Sequence, residues 1–240
     1  MVTDYSKTVQ DLINLWSENK ERTMIMTNWE NKLVGEKAEP RYVILDFETT
    51  GANVTNHHDK EWGYFKGQTW YDAIQIALID TSIPDENTKS GYKEYSWRIR
   101  PHKDYAARTD WATPIHGHTR DDYMKRTDLH EWTDIFPELA RIMNDKIIVA
   151  HNAFGFDKSV FEQMCDKYGL IPPVCDWRDT KAEVKQMFPD KPASQKDCAA
   201  WMGFDEDFDG HDALVDTQML TKIFFYIDNY KKESDDYFFV

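Results

Sequence analysis

A short apolar run that ends in two carboxylates is the feature that most restricts how this chain folds. Residues 41–47, RYVILDF, are rich in β-branched and large apolar side chains, which predicts a buried strand. Asp46 and Glu48 are two positions apart at its end, so they share one face, with Cα atoms roughly 7 Å apart. Phe47 points to the other face. Two carboxylates there indicate a functional site, although a polar strand end before the turn at 49–51 is the simpler alternative.

The rest of the chain predicts an α/β fold, in which a mixed β-sheet is flanked by α-helices. Further strands are predicted at 74–79, 92–99 and 147–150, and helices at 132–143, 158–168, 180–188, 194–202 and 212–230. Three successive strands, followed by alternating strands and helices, are typical of a mixed sheet covered by helices.

Three regions are predicted along the chain. Apolar positions at helical spacing predict an N-terminal helical extension over residues 1–38. The main domain is predicted over 39–232 and a charged, then aromatic, tail over 233–240. The extension either covers the core of the main domain or binds a protein partner.

Composition restricts the class of protein. Of the 240 residues 41% are hydrophobic, and no stretch approaches the roughly 20 apolar residues of a membrane span. The chain starts without the basic and apolar segments of a signal peptide. Three cysteines without metal-ligand spacing are expected to be reduced thiols. These features predict a cytoplasmic (intracellular) protein without a membrane partner.

A second acidic position follows another apolar run. Asp157 lies in VAHNAFGFDKSVFE, where a predicted strand passes into a predicted helix. An aspartate at a helix start is often only an N-cap, which contributes about 1 kcal/mol. The alternative is that Asp157 joins the carboxylates of the first block.

A third block, GHDALVD, holds His211 and Asp216. Five residues of an ideal helix turn through about 500°, so these two side chains cannot share a helix face. His211 is therefore expected in the loop that enters the helix, with Asp216 inside the helix. A histidine near an activated water is a suitable general base because imidazole ordinarily titrates near neutral pH. The simpler alternative is a surface histidine beside a helix start.

If carboxylates from these three blocks converge, cations are needed to offset their repulsion and desolvation. Hard oxygen ligands favour Mg²⁺ or Mn²⁺. A metal pair held by carboxylates is a common device for hydrolysing phosphodiesters.

The order D-x-E, D, H-x-x-x-x-D over residues 41–228 resembles the DEDDh subgroup of the DnaQ-like 3′→5′ exonucleases. The resemblance implies a ribonuclease-H-like fold and two divalent cations, Mg²⁺ or Mn²⁺. Four residues would hold them, namely Asp46, Glu48, Asp157 and Asp216, with His211 as the general base. The implied substrate contacts are Phe47, Thr49, Asn152 and Phe156.

Two segments depart from the family pattern. The string HNAFGFD is one residue longer between Asn152 and Asp157, and Gly155 can absorb the insertion as a bulge. Either Phe154 or Phe156 is expected to stack on a base. The segment 51–74 is also long and aromatic, so it either stacks bases or forms a lid, or else packs on itself.

The predicted activity is removal of 5′-mononucleotides from 3′ ends of single-stranded DNA or RNA. The formal net charge of −14 argues against a large basic footprint for long duplexes. Two hypotheses are compatible with this charge. The protein is an enzyme that binds only a few terminal nucleotides, or it is a nuclease module that a protein partner recruits and that has weak activity by itself. An inactive, binding-only relative is disfavoured by the complete set of catalytic positions.

Overall fold

The computed structural model describes residues 41–51, 72–101, 113–204, 208 and 210–237. Within these residues one sheet has six strands in the order β4-β3-β2-β1-β5-β6. The strands are β1 (Tyr42–Thr49), β2 (Ala73–Pro84), β3 (Tyr92–Ile99), β4 (Leu129–His130), β5 (Ile147–Ala150) and β6 (Asp176–Asp179). Strands β1, β2 and β3 form an antiparallel meander, and β1-β5-β6 are parallel. The sheet is therefore mixed, as predicted.

Helices cover both faces of the sheet. In the described part of the chain they are α1 (Thr113–His116), α2 (Arg120–Met124), α3 (Trp132–Met143), α4 (Asp157–Lys167), α5 (Thr180–Met187), α6 (Gln195–Trp201) and α7 (Ala213–Tyr237). Apolar residues of α3 and α4 pack on one face of the sheet. Those of α5, α6 and α7 pack on the other face.

Strand β1 lies at the centre of the sheet and divides its side chains between these two cores. Val43, Leu45 and Phe47 belong to the core under α3 and α4. Ile44 belongs to the core under α7. Because side chains alternate along a strand, Asp46 and Glu48 lie on the Ile44 face, towards α7.

The carboxyl end of β1 extends beyond its neighbour β5. The parallel pairing aligns Ile44 with Val149, and β5 ends one residue later at Ala150. Asp46 and Glu48 therefore lie beyond the end of β5, beside the turn of 151–156 that leads into α4. This arrangement opens the carboxyl edge of the sheet for a site.

The predicted elements are largely confirmed, with a few differences at ends and edges. Strand β3, helix α3 and strand β5 have the predicted bounds, and β2 is longer. The two short edge strands β4 and β6 and the short helices α1 and α2 were not predicted. Helix α7 continues to Tyr237, through residues predicted to start the tail.

Some predictions fall on residues that the structure does not describe. They concern the N-terminal extension of 1–38 and the aromatic segment within 52–71. Among the helices that are described, none is long and apolar enough to cross a membrane.

Candidate active site

Three of the predicted carboxylates meet beside the end of β1. Oxygen atoms of Asp46, Glu48 and Asp216 all lie within 4.8 Å of one another. Glu48 and Asp216 are each only 9% exposed. Asp216 comes from the first turn of α7, where Thr217 and Leu220 are fully buried and hold the helix against the sheet. Because α7 packs on one face of the sheet against β1, the first and third sequence blocks lie together.

Asp157 completes the acidic group from the other side of β1. It is the first residue of α4, and its side chain is 1% exposed. Phe156, rather than Asp157, occupies the N-cap position. The backbone N–H groups of Phe47 and of Asp157 itself face the carboxylate and lower its pKa. The carboxylate thus faces β1, whereas an aspartate that only capped the helix would face the helix N–H groups.

The turn before Asp157 is fixed by Asp179, a residue whose role was not predicted. Asp179 Oδ1 accepts from the Asn152 N–H at 3.1 Å, and Oδ2 accepts from the Phe154 N–H at 3.3 Å. Asp179 Oδ1 also caps α5 through the Ala182 N–H at 3.1 Å. A single carboxylate at the end of β6 therefore sets the path of the backbone into the acidic cluster.

The extra residue in this turn depends on a glycine. A Cβ atom on Gly155 would lie 2.7 Å from Asn152 Oδ1, closer than non-bonded atoms approach. The Asn152 backbone has φ of 74°, a left-handed conformation that asparagine tolerates better than most residues. The insertion is therefore accommodated by a tight turn in which the Asn152 side chain packs over Gly155.

His211 lies in the loop that enters α7, as predicted, and its side chain is exposed. Its backbone N–H donates to Asp216 Oδ2 at 2.7 Å. The His211 backbone has φ of 73°, which is uncommon for a residue with a side chain. The hydrogen bond from the His211 N–H to the Asp216 carboxylate thus offsets part of the cost of this backbone conformation.

Gly210 makes this loop conformation possible. A Cβ atom at Gly210 would lie 2.6 Å from Asp216 Oδ1. The backbone therefore passes directly against the carboxylate, and any larger residue would displace one or the other.

Asp212 anchors the same loop to the sheet, and this role was not predicted from the sequence. Its Oδ1 accepts from the N–H groups of Leu214 at 3.1 Å and Val215 at 3.3 Å, which caps α7. Its Oδ2 accepts from Gln75 Nε2 of β2 at 3.3 Å and lies 3.6 Å from the Arg98 guanidinium of β3. Asp212 therefore fixes the residue next to His211 against two strands.

The acidic cluster resists ionisation in the absence of cations. Burial, then repulsion by Asp157, Asp216, Glu48 and Asp212, raises the pKa of Asp46 well above its usual range. Burial, with repulsion led by Asp216, raises the pKa of Glu48 to about 8. Each ionised carboxylate makes the next ionisation less favourable.

The two carboxyls at the ends of helices respond differently. Burial raises the pKa of Asp157 to about 8, against the opposing effect of the two backbone N–H groups that face it. Burial raises the pKa of Asp216 only to about 6, because the hydrogen bond from the His211 N–H favours the charged form. Asp216 is therefore the most readily ionised of the three carboxyls with these values.

The residues fit a divalent cation. One oxygen of Asp157, Oδ1, is buried and has no hydrogen-bond partner among the residues that the structure describes. Three further carboxylates offer oxygen atoms close together. Oxygen-only ligand sets suit hard cations such as Mg²⁺ and Mn²⁺, and a cation would offset both the repulsion and the unpaired oxygen.

A cleft of about 400 Å³ opens at this cluster. Predicted site residues on its lining are Asp46, Phe47, Glu48, Thr49, Phe156, His211 and Asp216. Two predicted site residues are not on this lining, namely Asn152, in the turn before α4, and Asp157, which is buried beneath the cleft residues of β1. The cleft is also lined by Ser194, Gln195 and Lys196 at the start of α6 and by Phe208, none of which was predicted. Ser194, Gln195 and Lys196 form the polar start of the predicted helix 194–202, and this polarity was the one sequence feature that could have indicated their place at the site.

Comparison with known proteins agrees with this geometry. A family model described as an exonuclease, RNase_T, matches residues 43–224. A search of curated proteins gives no significant match. Exonuclease X, solved with 5′-overhanging duplex DNA, is 20% identical with a TM-score of 0.52, over 79% of this chain and 92% of its own.

Two further solved structures share the fold. Exonuclease I of E. coli, in complex with a dT13 oligonucleotide, is 15% identical with a TM-score of 0.61, over 84% of this chain and 44% of its own. The nuclease domain of 3′hExo, a DEDDh family member bound to rAMP, is 13% identical with a TM-score of 0.57, over 82% of this chain and 95% of its own.

These similarities confirm the predicted ribonuclease-H-like fold. This chain matches less than half the length of Exonuclease I. The family model spans all three acidic blocks, which follow the DEDDh order. The chain therefore belongs to the RNase_T exonuclease family.

Proposed function

We propose that this protein is a metal-dependent 3′→5′ exonuclease that acts on single-stranded DNA or RNA and releases nucleoside 5′-monophosphates. The observation that carries the proposal is the convergence of Asp46, Glu48 and Asp216 within 4.8 Å, beside the buried Asp157. This cluster opens into a cleft that also holds His211. Carboxylates grouped beside a histidine support metal-assisted hydrolysis of a terminal phosphodiester.

The four carboxylates would hold two divalent cations, Mg²⁺ or Mn²⁺. When bound, such cations lower the pKa of a water nucleophile and stabilise charge on the leaving oxygen. The chain contributes the ligands and their spacing. Glu48 and Asp157, whose pKa values are raised to about 8, would give up their protons as the cations bind.

His211 is proposed to accept the proton of the attacking water. Its side chain is exposed on the cleft lining, and its backbone is fixed to Asp216. The water oxygen forms a bond to the terminal phosphorus while the bond from phosphorus to the 3′-oxygen breaks. The 3′-oxygen takes up a proton, so the shortened strand again ends in a 3′-hydroxyl.

A single-stranded 3′ end suits the cleft. The volume of about 400 Å³ lies at the small end of the range for ligand sites. Phe156 is partly exposed and offers aromatic surface on its lining, and stacking on aromatic rings is tolerant of base identity. With a net charge of −14, contacts restricted to a few terminal nucleotides are favoured over a long duplex footprint.

The test is digestion of single-stranded DNA and RNA labelled at either end, with Mg²⁺, Mn²⁺ or EDTA. We expect stepwise shortening from the 3′ end with either metal, none with EDTA, and none with the Asp46→Asn variant. Shortening from the 5′ end, or full activity of this variant, contradicts the proposal. If the wild type cleaves neither polymer, the recruited-module hypothesis becomes the better one.

A further inference from the structure

An exposed aromatic side chain lies two residues before Phe156 of the cleft lining and has no part in the proposed chemistry. Phe154 is 58% exposed, although most large apolar side chains of the described residues are buried. Phe156, two residues later, lines the cleft and packs partly against the core. Phe154 belongs to the turn between Asn152 and Asp157, which is one residue longer than the family pattern.

The turn presents Phe154 from a fixed backbone. The Phe154 N–H donates to Asp179 Oδ2 at 3.3 Å, as described above. The next two N–H groups, of Gly155 and Phe156, both donate to the carbonyl oxygen of Asn152, at 3.0 and 2.9 Å. The aromatic ring therefore projects from a structured turn, so stacking on it costs the protein little conformational entropy.

A lysine completes the feature. Lys158 Nζ lies 5.9 Å from the centroid of the Phe154 ring. Lys158 follows Asp157 in the first turn of α4, so the backbone that carries the lysine begins at the acidic cluster, while its ammonium group lies near the Phe154 ring. Lys158 also forms a partly exposed ion pair with Glu162 at 3.4 Å, the kind of pair that is readily exchanged for another anion.

We propose that Phe154 and Lys158 form a second nucleotide subsite at the rim of the cleft. Phe154 stacks on the base of a nucleotide on the 5′ side of the terminal one, and Lys158 pairs with a neighbouring phosphate. An aromatic face beside a cation is the arrangement by which proteins bind single strands without reading their sequence. The inference rests on the proposed exonuclease function, because the strand reaches this subsite only when its 3′ end occupies the cleft.

The experiment compares two substrates of the purified protein. One is the p-nitrophenyl ester of thymidine 5′-monophosphate, which has no upstream nucleotide. The other is a short single-stranded oligonucleotide, tested as DNA and as RNA. We expect Phe154→Ala to lower kcat/KM on the oligonucleotide about tenfold more than on the ester, mainly through KM.

Two further variants make the result specific. Phe154→Trp should restore the oligonucleotide KM because tryptophan also stacks on bases. Ile171→Ala removes another exposed apolar side chain, 88% exposed and located in the loop before β6, and should change neither substrate's kinetics. Equal losses on ester and oligonucleotide with Phe154→Ala overturn the subsite.

An abasic position tests the stacking itself. Oligonucleotides that lack one base at the second, third or fourth position from the 3′ end should raise KM for the wild type at one of these positions. The same substitution should have little further effect on Phe154→Ala. If each abasic substrate affects both proteins equally, or if the variant is impaired only on duplex ends, the single-strand subsite is wrong.

The role of Lys158 is tested by substitutions that remove or retain its positive charge. Lys158→Gln should raise the oligonucleotide KM and weaken its dependence on salt, whereas Lys158→Arg should retain both. An unchanged salt dependence overturns the role of Lys158. Failure of the wild type to hydrolyse either the ester or the oligonucleotide would instead contradict the proposed function, so the two failures are distinguishable.

Discussion

A substitution at Asp157 best separates an effect on catalysis from an effect on the stability of the fold. Its carboxyl is 1% exposed, and burial raises its pKa to about 8. The Asp157→Asn variant removes a proposed metal ligand and also a buried group that resists ionisation. We therefore expect turnover to be abolished while the Tm without metal is no lower than that of the wild type. Activity assays and thermal unfolding in EDTA measure the two effects.

The matched control for this variant is Asp121→Asn, at a side chain that is 81% exposed on α2. It should leave turnover, Tm and the stabilisation by Mg²⁺ unchanged. Asp157→Asn should lose the stabilisation by Mg²⁺. A variant that keeps wild-type turnover would remove Asp157 from the metal site.

His211 requires a substitution that respects its backbone. Asparagine adopts positive φ more readily than alanine, so His211→Asn preserves the loop and the N–H donated to Asp216. We expect the rate to fall by about 10²- to 10⁴-fold, the usual effect of losing a general base. The Mg²⁺ concentration that gives half-maximal stabilisation should stay near that of the wild type. A large change in this concentration would assign His211 to metal binding instead.

The order of acidic residues along the sequence predicted the acidic cluster, but it did not predict the residues that support the cluster. Asp46, Glu48, Asp157 and Asp216 were recognisable because carboxylates beside apolar runs are unusual. Asp212 and Asp179 act through partners far away in sequence, such as Gln75 on β2 and the turn after β5. Their positions in the sequence are ordinary for helix caps, so only the fold reveals what else they hold.

At the scale of elements, the start of α7 is the most constrained segment. Because a Cβ at Gly210 would lie 2.6 Å from Asp216 Oδ1, Gly210→Ala must move the loop or the carboxylate. We expect it to lower both the rate and the affinity for Mg²⁺, to an extent similar to the 10- to 100-fold typical of residues that support metal ligands. Steady-state kinetics and Mg²⁺ titration measure both.

Gly91→Ala is the matched control for that substitution. Gly91 also has positive φ, 78°, but a Cβ there meets nothing within 4 Å. It should cost about 1 kcal/mol of stability through backbone strain and leave the Mg²⁺ titration unchanged. If both glycine variants reduce Mg²⁺ affinity equally, strain rather than contact with Asp216 is responsible.

The same scale shows where sequence patterns stop predicting structure. Strand β5, IIVA, was predicted to the residue because a buried central strand must be apolar throughout. Strand β6, DWRD, was missed because an edge strand pairs on one side only and its polar side chains lack the apolar pattern. Helix α7 runs past its predicted end because lysine and glutamate sustain a helix without an apolar stripe.

At the scale of the whole molecule, the acidic cluster makes stability depend on pH and on metal. Burial, then repulsion led by Asp216, raises the pKa of Glu48 from 4.5 to about 8, and burial raises that of Asp157 from 3.8 to about 8. A carboxyl with a raised pKa in the folded state stabilises the fold while it is protonated. That contribution is complete below the unfolded pKa and is lost as the pH rises through the folded pKa.

We therefore expect the Tm of the metal-free protein to decrease as the pH rises from about 5 to about 8. Divalent cations replace the protons, so Mg²⁺ at about 100 times its Kd should raise the Tm by roughly 5–10 °C at the upper end of this range. The increase should be smaller near pH 6, where protons compete with the cation for the same carboxylates. Thermal unfolding across this pH range, with EDTA and with Mg²⁺, measures both trends. Asp157→Asn should flatten them, because it removes one of the titrating carboxyls. A metal-free Tm that increases with pH, or an equal effect of Mg²⁺ at every pH, would show that the cluster does not control the stability of the fold.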